Sequence, residues 1–268
     1  MPLQRFGNKV AIVTGASQGI GREIARQFSM EGAAVVCADL QPTGADPGPP
    51  THELIREVGG KAIFVQTDVS KAVDVEALVE RTVTEFGRLD VMVNNAGICT
   101  EAKEPMPIDK SSEELLDRHL RVNTKSAWLG CKYAVRQMKK QDPCPDSDLR
   151  GQIVNISSVV AYIGLPGLSN YATSKGAVAA LTKTIAMETS KLAITCNAIC
   201  PGFTQTPMLD DALGGALKAA RETVQAGIPL QRFGRAIDQA RTVLFYASRD
   251  AAWITGTTLA VDGGITAQ

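Results

Sequence analysis

Short apolar runs alternate along this chain with stretches in which apolar residues return every three or four positions. Residues 10–13 form the first run, and Ile24, Ala25 and Phe28 follow at helical spacing. Residues 35–39, 62–65 and 91–93 read as further strands, rich in β-branched residues. Between the last two, Val75, Leu78, Val79, Val83 and Phe86 mark one face of a helix. Ser111 and Glu114 form a capping box, predicting one long helix through Leu115, Leu116, Leu120 and Trp128 toward Met138. A strand at 153–156, a helix from about Tyr171 to Thr189, and strands at 194–199 and 257–261 complete the pattern. Strands separated by helices pair in parallel, because each connection must cross over the sheet.

Between the first strand and the first helix lies Thr14-Gly15-Ala16-Ser17-Gln18-Gly19-Ile20-Gly21. Glycine accepts positive φ and has no Cβ, so such a turn lets a phosphate approach the backbone. The helix behind it aims free N–H groups and a positive dipole end at the anion. Taken alone, these glycines also fit an ordinary strand-to-helix turn. The next strand closes on Asp39, roughly 20 residues further on, where an acid accepts hydrogen bonds from a ribose and repels a 2′-phosphate. Ser17, Gln18, Leu40 and Gln41 add no positive charge to hold such a phosphate. The pattern points to NAD rather than NADP, with a strand-end cap as the plainer role for Asp39. The expected fold class is α/β: a single Rossmann-type doubly wound parallel sheet flanked by helices on both faces. It would form one dinucleotide-binding and catalytic domain over residues 1–268.

Composition narrows the function. The 268 residues are 44% hydrophobic and 21% charged, with 28 basic side chains balanced by 28 acidic ones. No global field would gather nucleic acid or an anionic membrane surface, so a small-molecule substrate fits better. The N-terminal residues lack the apolar core of a signal peptide, and no run approaches the roughly 20 residues of a membrane span. The cytoplasm is the expected compartment. Six cysteines, at 37, 99, 131, 144, 196 and 200, show no C-x-x-C spacing, so free thiols are expected. Cys196 and Cys200 stand about 13 Å apart along one strand, too far for a disulfide. With only His52 and His119 beside them, no metal site is expected. Two proline-rich segments, 41–52 and 141–151, read as surface loops.

Tyr171-Ala172-Thr173-Ser174-Lys175 places a phenol and an ammonium one helical turn apart. A neighbouring cation favours the phenolate, which suits tyrosine to proton transfer as hydride leaves an alcohol or reaches a ketone. Ser158 ends a strand thirteen residues upstream, where the carboxyl ends of a parallel sheet line the ligand crevice. These ordered motifs, over about residues 8–264, resemble a standard-length short-chain dehydrogenase/reductase. The resemblance implies that Gly15, Ser17, Gln18, Gly19, Ile20 and Gly21 hold the cofactor, with Asp39 and Leu40 at its ribose. It implies further that Asp68 and Val69 hold the adenine and that Asn95, Ala96 and Gly97 lie against the cofactor. Pro201, Gly202, Thr204 and Thr206 would fix the nicotinamide carboxamide, and Val261-Asp262-Gly263-Gly264 also matches. Asn123, Ser158, Tyr171 and Lys175 would be the catalytic tetrad. In it Tyr171 is the acid/base, Ser158 binds the substrate oxygen and Asn123 holds a water that relays protons. Lys175 depresses the tyrosine pKa and binds the nicotinamide ribose.

The segment from about 203 to 235, with Met208, Leu209, Leu213, Leu217 and the Gly214-Gly215 pair, is expected to cover the site, as a lid or as core. Ala161, Tyr162, Ile163, Leu165 and Leu168 suggest a mainly apolar pocket. The expected function is hydride transfer between NAD(H) and a secondary alcohol or ketone, mostly apolar, with cyclic substrates included. A 3-oxoacyl thioester reductase is the nearest alternative; a dinucleotide-sensing protein without turnover is the alternative of another class. The resemblance also implies a homotetramer built partly from the Trp128 helix and the Tyr171 helix.

Overall fold

A computed structural model describes residues 4–213 and 218–267. Its strands and helices alternate through most of the chain. β1 (Val10–Thr14), α1 (Gly19–Met30), β2 (Ala34–Asp39), α2 (Thr51–Glu57), β3 (Ala62–Gln66), α3 (Ala72–Phe86) and β4 (Val91–Asn94) form the first half. α4 (Glu113–His119) runs through a π-helical turn at Leu120–Lys125 into α5 (Ser126–Met138). Then come β5 (Gly151–Ile156), α6 (Ser169–Thr189), β6 (Ile194–Pro201), the two-residue strand β7 (Thr204–Gln205), α7 (Pro207–Leu213) and α8 (Lys218–Ala226). β8 (Gly234–Arg235) pairs with β7, and α9 (Ala236–Tyr246) leads to β9 (Thr258–Val261).

Seven strands pair in the order β3-β2-β1-β4-β5-β6-β9, all parallel. Chain order reverses between β1 and β4, and ligands of such sheets bind in the crevice at that switch. Both faces of the sheet are covered, so the strands are apolar throughout rather than alternating. Strand residues nevertheless divide by the period of two. Ala11, Val13, Val35, Val93 and Val154 pack on Ile24 and Phe28 of α1 and on Val243 and Leu244 of α9. Ile12, Val36, Met92 and Ile153 face Val75 and Leu78 of α3 and Leu129 of α5.

Three sequence expectations shift. The helix after β4 is capped by Ser112, whose Oγ accepts the Leu115 N–H at 3.2 Å, while Ser111 accepts a 2.7 Å bond from Asn170 instead. That helix is also two α-helices joined by the π-helical turn, which contains Asn123. The loop predicted at 41–52 ends at Pro50: Thr51 opens α2, its hydroxyl donating to the Ala16 carbonyl at 2.7 Å.

Candidate active site

The glycine turn sits at the switch point. Gly15 and Gly19 have φ of +66° and +57°, a region that side chains disfavour. A Cβ on Gly15 would stand 2.9 Å from the Ala96 Cα, and one on Gly21 would collide with the Gly15 carbonyl. Asn95 locks this turn to β4: its Nδ2 donates to the carbonyls of Thr14 at 2.8 Å and Gly15 at 3.2 Å. Thr14 Oγ1 in turn accepts the N–H groups of Asn95 and Ala96. Asp39 lies across the turn, its two oxygens accepting the N–H groups of Ser17 at 3.0 Å and Leu40 at 2.8 Å.

The proline-rich loop, expected at the surface near the adenosine end, folds back over the same turn. Asp46 Oδ2 accepts the Gly19 N–H at 2.6 Å, and Gln18 Oε1 accepts the Ala45 N–H at 2.7 Å. Arg22 holds the loop from below, donating to the Pro49 carbonyl at 3.0 Å. A carboxylate thus already uses the N-terminus of α1 as an anion site, in keeping with its free N–H groups and dipole. Glycines that exclude a Cβ, an anion-binding helix end and an acid at the end of β2 together suit a dinucleotide.

The side chains of Ser17 and Asp68, both expected at the cofactor, bond to neighbouring chain. Ser17 donates its hydroxyl to the Gln41 carbonyl at 2.5 Å. Asp68 accepts from the Ser70 N–H and hydroxyl at 3.0 and 2.7 Å and pairs with Lys71, while Thr67 and Val69 face the cavity. The Ser70 hydroxyl, above all, holds the Asp68 carboxyl below the ordinary range.

Ser158, Tyr171 and Lys175 line one cavity of about 730 Å³ that Gly15, Gly19 and Asp39 also line. β5 delivers Ser158 at its carboxyl end, and the first two turns of α6 deliver the other two. Lys175 Nζ donates to the Ile156 carbonyl at 2.8 Å and lies 5.8 Å from the centre of the Tyr171 ring. Burial pushes the Tyr171 phenol above its ordinary pKa, the Cys99 thiol adds to this, and a hydrogen bond with Ser158 opposes it. Burial also lowers Lys175 to about 8. The expected depression of the tyrosine by Lys175 is therefore outweighed in the protein alone: desolvation of the charged forms is the larger effect.

Asn123 joins the loop after β4 to α6. Its Oδ1 accepts the Ile98 N–H at 2.8 Å, and its Nδ2 donates to the Ile98 carbonyl and Ser174 Oγ, both at 2.9 Å. With the amide so engaged, the side chain braces the loop after β4 against α6. A Cβ on Gly97 would lie 3.2 Å from Asn123 Oδ1 and 3.3 Å from Lys175 Nζ, so glycine permits this approach. His119, fully buried, was not singled out by any motif. Its ring meets that of Tyr171 edge-on at 6.4 Å; Nδ1 lies 2.9 Å from the Leu115 carbonyl and Nε2 accepts the Thr100 N–H.

Gln18, Ile20, Gly21, Leu40, Asn95, Ala96, Gly97, Pro201, Gly202, Thr204 and Thr206 also line the cavity. Its outer wall is carbon: Ile98, Val160, Leu165, Leu168, Phe203, Met208 and Leu209 among others. Lys175 is the sole cationic and Asp39 the sole acidic lining residue among the described residues. The expected Ala161, Tyr162 and Ile163 do not line it; Tyr162 instead donates its hydroxyl to Thr258 across to β9. α7 and α8 cover one side through Met208, Leu209 and Val224. Gly214-Gly215 and Leu217 lie outside the described residues.

The strand order, with its crevice at the switch point, defines the class: a dinucleotide-binding α/β protein. Comparison with known proteins sharpens this. The family model described as Enoyl-(Acyl carrier protein) reductase matches residues 15–266. A 2-(R)-hydroxypropyl-CoM dehydrogenase from Xanthobacter autotrophicus is 38% identical over 260 residues, 97% of this chain and 99% of that protein. A 3-oxoacyl-(acyl-carrier-protein) reductase FabG from Thermotoga maritima is 37% identical over 264 residues, again 97% and 99% of the two chains. The crystal structure of a levodione reductase superposes with a TM-score of 0.87 at 29% identity, covering 98% of this chain and 99% of that one. The chain belongs to the short-chain dehydrogenase/reductase family and is an oxidoreductase of that type. Members of the family typically use a nicotinamide dinucleotide.

Proposed function

We propose that this protein transfers hydride between NAD(H) and a secondary alcohol or ketone of mostly apolar character, cyclic substrates included. The observation that carries the reading is the cavity itself: a serine, a tyrosine and a lysine line it together with many apolar side chains, and no second cation lines it among the described residues. The absence of a further Lys or Arg among its described lining residues speaks against carboxylate or phosphate substrates, which are held by charge-assisted bonds. Asp39, which ends β2 and lines the cavity, supports NAD over NADP.

The glycine turn, Asp39, Val69, Asn95 to Gly97 and Thr204 would hold the cofactor, which when bound supplies or accepts the hydride. Ser158 donates a hydrogen bond to the substrate oxygen and stabilises charge developing there. Tyr171 gives its proton to that oxygen in reduction and takes one from the hydroxyl in oxidation. Lys175 stabilises the phenolate left after donation, and Asn123 keeps the loop after β4 and α6 in register. The unpaired state of all six cysteines supports a reducing compartment, the cytoplasm.

The 3-oxoacyl-(acyl-carrier-protein) reductase relative favours a second reading, reduction of a thioester-linked ketone. That substrate arrives on an acidic, phosphate-bearing carrier, for which the cavity offers Lys175 alone. Tyr171→Phe tests the first reading. Turnover is expected to fall by roughly 10²–10⁴-fold, as for loss of a general acid, while NADH binding followed by fluorescence stays within about twofold. Retained turnover would contradict the assignment.

A further inference from the structure

Glu101 takes no part in the proton chemistry above, yet its carboxylate is buried, with 1% exposure, in the short turn Thr100–Ala102 after β4. Burying a charge is costly unless hydrogen bonds replace its hydration. Here two main-chain donors do so: Asn170 N–H at 3.1 Å and Tyr171 N–H at 2.7 Å, one on each oxygen. Both donors belong to the first turn of α6, where N–H groups lack helical partners. The helix has no local cap: Leu168 before it is apolar, and the Ser169 hydroxyl has no partner. A carboxylate from seventy residues away in sequence therefore serves as the cap of the helix that carries Tyr171 and Lys175.

The loop bearing Glu101 is fastened on both sides. Met106 N–H donates to the Gly167 carbonyl at 3.1 Å, and Lys103 pairs with Asp211 of α7 at 2.9 Å. Its neighbours Ile98, Cys99 and Ala102 line the cavity, whereas Glu101 does not. We infer that Glu101 is a positioning residue whose carboxylate pins the main chain of Tyr171 to the cavity wall formed by the 98–106 loop. This inference rests on the reading of Tyr171 as the acid–base group. Misplacement of a reacting group by about 1 Å can cost 10²-fold in rate, so a pin at this point matters to turnover.

The charge has a second effect. The N-terminus of α6 presents a partial positive charge that favours the phenolate, and the Glu101 carboxylate cancels it. The other titratable groups around Tyr171 are Lys175 on its own helix, Cys99 on the loop, Cys200 on β6 and His119 on α4. Of these, Cys99 itself feels the Glu101 charge, which adds to burial in raising the thiol.

The test compares Glu101→Gln and Glu101→Leu with wild type and Tyr171→Phe in the full-length chain. The assay is oxidation of cyclohexanol, 2-butanol or 1-phenylethanol by NAD, whichever is fastest. Glu101→Leu is expected to lower kcat roughly 10²-fold with the NADH Kd within about threefold. Glu101→Gln retains one acceptor oxygen and is expected to recover at least about tenfold of that loss. It also moves the acidic limb of the kcat–pH profile, where the Tyr171 phenolate is lost, to lower pH by about half a unit, since the helix dipole is no longer compensated. Wild-type kcat in Glu101→Leu overturns the inference. So does an unshifted limb in Glu101→Gln, the one readout that remains if the leucine variant does not fold. If Tyr171→Phe itself retains turnover, the acid–base reading fails instead, which the Glu101 variants alone would not show.

Discussion

At the scale of single residues, burial governs the chemistry of the site. Lys175 is 4% exposed and held at about 8 by desolvation, against an ordinary value of 10.5. The sign of its contribution to stability follows. Below pH 8 the ammonium is charged in both folded and unfolded chains, so the full cost of burying it is present. Between about 8 and 10.5 the unfolded chain binds more protons than the folded one, and stability rises with pH. Relative to Lys175→Met, the wild-type protein is expected to gain on the order of 2 kcal/mol of unfolding free energy between pH 7.5 and 10. Urea titrations of both proteins at the two pH values measure it; equal slopes with pH would show that the buried ammonium is not shifted. The residues of this site were largely legible in the sequence, because Tyr171, Lys175, Ser158 and the glycines stand at spacings their chemistry requires. Their partners were not. Asn123 spends its amide on Ile98 and Ser17 its hydroxyl on Gln41, contacts between segments about 25 residues apart that no local pattern encodes.

Among the elements, the parallel strands were the most legible, since burial on both faces makes them unbroken apolar runs. The first half of the sheet was placed within a residue or two. The second half concealed more. α9 carries Ala240, Val243 and Leu244 at helical spacing, but the polar Asp238 and Gln239 precede them, Arg241 and Thr242 interrupt them, and no motif marks it. The proline-rich segment 41–52 reads in the sequence as a surface loop near the adenosine end, and what that reading lacks is Asp46 seated on the N-terminus of α1. A carboxylate at that position competes with the negative charge of a dinucleotide. Asp46→Asn is therefore expected to tighten NADH binding by roughly two- to fivefold, corresponding to the about 0.3–1 kcal/mol of a charge at a helix end. Fluorescence titration with NADH measures this, and unchanged or weaker binding would show that the loop leaves the cofactor's path without cost.

Across the whole molecule, balanced charge and a single charged pair of lining residues leave shape and apolar contact to select the substrate. One further apolar feature lies outside the cavity. α5 and α6 together with the π-helical turn form an open groove lined by Leu120, Thr124, Trp128, Ala177, Ala180 and Leu181, with Trp128 46% exposed. We propose that this face is covered in a homotetramer, as the family resemblance implies. Gel filtration with light scattering is expected to give four chains per particle; a monomer would count against that assembly. No sequence pattern distinguishes such a face from ordinary core, because both present apolar residues at helical spacing.

The central claim, hydride transfer with NAD(H) to an uncharged carbonyl, is tested most directly by following nicotinamide absorbance. The wild-type enzyme is presented with a panel of apolar ketones and alcohols, cyclic and open-chain, with each cofactor pair in turn. The account predicts turnover of at least one secondary alcohol–ketone pair, with kcat/KM for NADH at least about tenfold above that for NADPH, a difference of about 1.4 kcal/mol. A preference for NADPH, or turnover confined to acyl thioesters, would contradict it.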